Sequence, residues 1–138
     1  IEIIKKFKKK NYNFPNFISK SSNLMKKSII GKGNIILPNS IIQSPSKIKN
    51  HNIIGTGSIL LHHSHISSNC LIGGGVAIGA GTKIGKNTFI GVGSTIASNT
   101  INKNIKIGNN VFVCSGSNVL SNISSNSKVI GNPARKIL

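Results

Sequence analysis

The chain is almost without acid. Glu2 is the only acidic residue among 138, against 18 Lys and Arg, and the formal charge is +17. No acidic group is therefore at hand to orient metal ligands from behind. Aromatic residues make up 4% of the chain, which leaves little surface on which to stack nucleic-acid bases. No apolar run reaches the length of a transmembrane span. The opening "IEIIKKFKKK" is too charged, and lacks the apolar core, to be a secretion signal. Cys70 and Cys114 show neither metal nor redox spacing, and a reduced, cytoplasmic setting fits them. The chain starts at Ile1 rather than Met, and it reads as a piece of a longer polypeptide.

What is abundant is Ile, Asn, Lys and Gly, and the Ile residues are periodic. Every sixth residue from Ile30 to Ile96 is aliphatic, without exception, and the rhythm resumes at Ile107, Val113 and Val119. A small or polar residue follows four positions later in most repeats, as at Asn34, Ser40, Ser58 and Ser64. Gly often follows directly, as at Gly31, Gly55, Gly73 and Gly79, where it is expected to supply a backbone conformation other residues resist. Six-residue spacing walks around an α-helix, so the pattern is not helical. It predicts an all-β fold, a left-handed parallel β-helix of triangular section with 18 residues per coil. The expected divisions are a short helical or irregular segment over 1–27, the β-helix over 28–122 and a closing segment over 123–138. The segment "ASNTINKNIK" breaks the rhythm and predicts a protruding loop or a shortened coil.

Stacking by 18 makes the surface partly legible. Ile35, Ile53, Leu71 and Phe89 fall in one outward column, an apolar stripe that needs cover. A closed cyclic trimer is the natural cover for a triangular prism; a terminal loop is the alternative. Three of the four histidines crowd "GSILLHHSHIS". Leu60 points inward, so His62 and His63 point out, Ser64 in and His65 out. Ala80 lies one coil above His62, in Gly-rich "IGAGTKIG", where backbone N–H groups are expected to be accessible. A base beside free amide donors suits acyl transfer.

The run "IIGTGSILLHHSHISSNCLIGGGVAIGAGTKIGKNTFIGVGSTI", with the closing "SKVIGNPARKIL", resembles the hexapeptide-repeat sugar O-/N-acyltransferases of the sialic acid O-acetyltransferase NeuD/PglD type. The resemblance implies an acetyl-CoA-dependent enzyme acting on a sialic-acid-like or nucleotide-aminosugar acceptor, trimeric, with acetyl-CoA lying between neighbouring helices. It places the general base on His62 and the oxyanion donor on the Ala80 amide. Leu71, Val92 and Ser115, with the adjoining Gly79, Gly81, Gly93 and Gly116, fall in the acetyl-CoA site. Arg135, in the terminal basic segment with Lys136, is expected to meet CoA phosphates. Three departures stand out. The family carries Asp or Glu directly after the base, where this chain has His63; an imidazole there can still hydrogen-bond the base. A second family histidine is Leu71. The nucleotide-sugar-binding domain of the family has no counterpart in this sequence.

Three rival readings follow from the same residues. A binding-only relative, catalytically silent, is compatible with the lost acid. A gamma-class carbonic-anhydrase-like zinc site would use His62, His63 and His65, but neighbours on a strand diverge in direction, so no metal is expected. The charge suggests nucleic acid or a membrane surface, yet Lys, Asn and Ile are spread as in a chain from an AT-rich genome. Neither partner is expected. Cys70, at an inward small position, and Cys114 read as structural.

Overall fold

The computed structural model describes residues 2–8, 12–98 and 104–137. Each hexapeptide forms a strand of two residues, and the two side chains separate. In Ile35–Ile36 the first stays 38% exposed and the second is 0% exposed. An extended backbone imposes that alternation, and β-branched Ile suits it. The inward residues, from Ile36 through Ile96 to Val119 and Val129, form one continuous core.

The strands stack into three parallel sheets, the faces of a left-handed β-helix. The first face runs Phe17–Ile18, Ile35–Ile36, Ile53–Ile54, Leu71–Ile72, Phe89–Ile90, Phe112–Val113 and Lys128–Ile130. The second runs Asn23–Leu24, Ile41–Ile42, Ile59–Leu60, Ala77–Ile78, Thr95–Ile96 and Asn118–Val119. The third runs Ile29–Ile30, Lys47–Ile48, His65–Ile66, Lys83–Ile84 and Lys106–Ile107. Arg135–Lys136 pairs antiparallel with Lys128–Ile130 and closes the end.

The corners depend on left-handed backbone. Positive φ recurs three residues after the inward aliphatic, at Asn39, Gly57, His63, Asn69, Gly81 and Asn87 among others. The glycines directly after the aliphatic have a different reason. A Cβ on Gly73 would sit 2.6 Å from the Val92 nitrogen, and one on Gly91 2.4 Å from the Ser115 nitrogen. These glycines let one coil lie against the next, and none of them has positive φ. The expectation that they serve an unusual conformation is corrected: that role belongs to the residue two positions later.

Several inward polar side chains bond to an adjacent coil, whereas the buried Thr82 Oγ1 has no partner. Ser58 Oγ donates to the Gly73 carbonyl at 2.7 Å, and Ser40 Oγ to that of Gly55 at 3.0 Å. Asn52 Nδ2 donates to Asn34 Oδ1 at 3.1 Å, while Asn52 Oδ1 accepts from the Cys70 amide at 2.8 Å. Burial pushes the Cys70 thiol above its ordinary pKa, with the Thr88 and Asn87 amides opposing weakly. It donates to the Gly85 carbonyl at 3.1 Å, a structural use.

Two boundaries move. The β-helix begins at Phe17–Ile18, well before the expected residue 28, because Ile18, Leu24 and Ile30 already keep the six-residue rhythm and pair with the next coil. Before it, the described residues include the short helix Glu2–Lys8. The segment expected to close the chain over 123–138 still contributes the parallel strand Lys128–Ile130. The register step of 18 lengthens to 23 where Lys83 pairs with Lys106, so five residues are inserted while the coil continues. Part of the expected irregularity, 99–103, lies outside the described residues. The outward apolar column is as expected and longer: Phe17, Ile35, Ile53, Leu71, Phe89 and Phe112 stand in register, with the last two rings stacked at 4.5 Å.

Candidate functional site

His62 and His63 occupy the corner between the second and third faces. Leu60 is buried at the end of its strand, and Ser64 is buried where the corner turns in again, so the two histidines between them are pushed outward. Their backbone is held from both sides. The His62 N–H donates to Gln43 Oε1 at 3.3 Å, and its carbonyl accepts from the Gly81 N–H at 3.0 Å. The His63 N–H donates to the Pro45 carbonyl at 2.6 Å. His63 takes φ of 60°, the left-handed corner conformation. The two rings meet edge to face, with Nδ1 to Nδ1 at 2.8 Å.

Ala80 and its flanking glycines form the next rung of the same corner. Its amide donates to Ser98 Oγ at 3.1 Å. The Gly79 N–H goes to the Ile96 carbonyl and that of Gly81 to the His62 carbonyl. The expectation of accessible amides is corrected: all three donors have partners. Ala80 differs from its neighbours in that its partner is an exposed hydroxyl free to rotate, whereas theirs are fixed carbonyls. Sequence reasoning missed Ser98 and Gln43. Ser98 lies 18 residues from Ala80, so the stacking rule alone places it there. Gln43 carries no comparable signal.

The remaining expected site residues lie elsewhere on the prism. Val92 and Gly93 stack with Ser115 and Gly116 along the corner between the first and second faces, where the Gly116 N–H donates to the Val92 carbonyl at 2.9 Å. Leu71 stands in the outward column of the first face, and exposed Arg135 sits on the closing strand. Within one chain this group is separated from His62, His63 and Ala80 by the width of the second face.

His65 does not join the pair. It sits on the third face with Lys47 and Lys83 as its neighbours in register. It is half-buried rather than solvated, and its Nε2 is buried with no partner. Desolvation, and then the charges of Lys49, Lys47 and Lys83, hold its pKa below the ordinary value. Among the described residues, no three His, Cys, Asp or Glu side chains come together as a metal site. No helix among them is long and apolar enough to cross a membrane.

Comparison with known proteins agrees with this architecture. A family model described as bacterial transferase hexapeptide (six repeats) matches residues 63–98. A comparison with curated proteins gives no match. Among solved structures, the chain is similar to PerB from Caulobacter crescentus in complex with CoA and GDP-perosamine, with a TM-score of 0.94 and 23% identity over 99% of this chain. It spans 64% of that chain's length. The acetyltransferase domain of PglB from Neisseria gonorrhoeae gives 0.91 at 22% identity, over 99% of this chain and 64% of that one. AntD, an N-acyltransferase from Bacillus cereus solved with dTDP and 3-hydroxybutyryl-CoA, gives 0.77 at 19%, over 97% and 86%. At these identities the likeness establishes the fold.

Proposed function

We propose that this β-helix is the acyl-transfer unit of a CoA-dependent sugar N-acyltransferase, and that its site is completed between two copies of the chain. One observation carries the reading. An exposed imidazole, His62, is held in a hydrogen-bonded pair at a corner, with the Ala80 amide on the adjoining rung. Support for CoA comes from similar proteins: PerB is described with CoA and GDP-perosamine, and the PglB domain with acetyl coenzyme A. Structures of the Caulobacter enzyme with a histidine replaced by Asn or Ala are also among the matches.

In this reading His62 Nε2 takes a proton from the acceptor amine as its nitrogen attacks the thioester carbonyl carbon. Ser98 Oγ rotates away and leaves the Ala80 N–H to the developing oxyanion; donors of this kind are worth roughly 3 kcal/mol. The C–S bond breaks, the thiolate takes the proton from His62, and amide and thiol leave. No covalent enzyme intermediate and no metal take part. Of the groups expected to contact CoA, Gly79 and Gly81 flank Ala80 at the His62 corner, whereas Leu71, Val92, Gly93, Ser115, Gly116 and Arg135 lie across a face from His62 and in this reading come from a neighbouring copy. The exposed column of the first face supplies an apolar surface for that association, and a trimer closes it.

The test is thiol release from acetyl-CoA with a panel of nucleotide-aminosugars and sialic acids. Acceptor-dependent release that falls at least about a hundredfold in His62→Ala is expected. Release that survives the substitution removes His62 from the mechanism. A second reading, a relative that binds CoA without turnover, draws on the Ala80 amide being engaged by Ser98. A folded oligomer that binds CoA yet transfers to no acceptor would favour it.

A further inference from the structure

We propose that the third face is a docking surface for an anionic lipid bilayer, held there by its lysines and by apolar side chains at its N-terminal end. Its strands carry Lys47, His65, Lys83 and Lys106 in one outward column, each in register with the next. Strands of a sheet lie about 4.8 Å apart, so the column spans about 14 Å. Lys32, Lys49 and Lys86 follow it along the corner with the first face, and Lys26 and Lys27 stand at the opposite corner. All of these lysines are exposed. Among the described residues, no strand of the second face carries a lysine, and the parallel strands of the first face carry one, Lys128. Lysine set by genome composition would fill the outward positions of every face alike. Its confinement to one face speaks against the expectation that the charge has no membrane partner.

No acid neutralises this face. Glu2 is the only acidic residue of the chain. Like charges directly opposite across strands repel, and Lys83 stands opposite Lys106. The field reaches His65: after desolvation, the charges of Lys49, Lys47 and Lys83 hold its proton off. An anionic surface laid on the face relieves the repulsion, and each lysine near it adds to the attraction. A nucleic acid also offers phosphates, but the face ends in apolar side chains for which a phosphate backbone has no place. Ile29 is 59% exposed and Met25 40%. The N-terminal segment joins the prism at the border of this face, where the Gly33 N–H donates to the Phe14 carbonyl at 2.8 Å. Upstream, the helix Glu2–Lys8 exposes Ile3 and Phe7, four residues apart and so on one side, with Lys5 and Lys6 also exposed. Lysines beside exposed aliphatic and aromatic groups suit the boundary between lipid headgroups and acyl chains. The first face, assigned above to contacts between copies, stays clear of the bilayer. Docking and acyl transfer therefore stand or fall separately.

Cosedimentation of the full chain with phosphatidylcholine vesicles, with and without about 30% phosphatidylserine, tests the proposal. Binding is expected only with the anionic lipid, and it should weaken steeply towards about 0.5 M salt. The double variant Lys47→Glu/Lys83→Glu should lower the partition coefficient at least about tenfold. Its inward neighbours Ile48 and Ile84 are untouched, so the β-helix should stay folded; should the reversed charges disturb the stack, Lys47→Gln/Lys83→Gln reads the same loss. Lys20→Glu/Lys128→Glu makes the same change in net charge away from the third face and should cost less than about threefold. Ile29→Ser/Phe7→Ser should weaken vesicle binding several-fold and leave any binding to duplex DNA unchanged. Equal binding to neutral vesicles, equal losses in the two charge-reversed pairs, or tighter binding to duplex DNA than to anionic vesicles at matched phosphate and salt would each overturn the proposal.

Discussion

At the scale of single residues, outward position alone does not set a side chain's environment. His62, His63 and His65 all leave the core, yet His62 and His63 pair while His65 is wedged between lysines with a buried, partnerless Nε2. The depressed His65 pKa has a thermodynamic consequence. Above the ordinary value of 6.5 neither folded nor unfolded His65 is charged, and the native state bears no penalty. As pH falls below 6.5 the unfolded chain binds a proton that the folded chain resists, so stability is lost until the folded group also titrates. The urea midpoint of the wild type should therefore drop between about pH 7.5 and pH 5 by more than that of His65→Gln. Equal drops would show that His65 titrates normally.

At the scale of the coil, two glycine classes carry different physics. Gly73 faces the next coil, where a Cβ would meet the Val92 nitrogen at 2.6 Å and its Cα at 2.9 Å. Gly57 has open space around it but φ of 67°. Gly73→Ala forces two backbones apart in a close-packed stack and should cost about 3 kcal/mol or more. Gly57→Ala meets only the left-handed strain of an L-residue, about 1–2 kcal/mol. Denaturant midpoints of the two variants check the order, and a reversed order would mean that the coils separate easily. The same logic explains why the β-helix accepts five extra residues between Lys83 and Lys106. An insertion at a corner can leave the stack, whereas a Cβ between coils cannot.

At the scale of the whole molecule, the prism carries an apolar column along its first face, and its expected site residues are spread over two corners, that face and the closing strand. Phe17 is 70% exposed and Phe112 43%, with Ile35, Ile53 and Leu71 each above a third, which is costly for an unpartnered chain. Ile53→Lys should leave the β-helix folded, since Ile53 is outward and its inward neighbour Ile54 is untouched. It should nonetheless yield monomers by sedimentation and at least about a hundredfold loss of transfer, because the site then lacks its second half. Monomeric wild-type protein with full activity would place the whole site on one chain.

The repeat was legible because a β-helix is a local code. Each aliphatic residue from Ile30 to Ile96 specifies its own inward strand, and the 18-residue step assigns its neighbours without any knowledge of the whole. That is also why the outward column and the outward histidines could be read directly, and why Ser98 over Ala80 was readable in principle. The start of the coil at Phe17 was obscured because the first inward residues, Ile18, Leu24 and Ile30, form an end layer among charged and polar neighbours. Only the tertiary structure decided what the exposed groups do with one another. Pairing of His62 with His63, capture of the Ala80 amide by Ser98 and the burial of His65 Nε2 depend on rotamers and on the few ångströms between coils. Sequence periodicity determines which coil a residue belongs to and which way it faces; the hydrogen bonds across a corner are settled by geometry that the period does not encode.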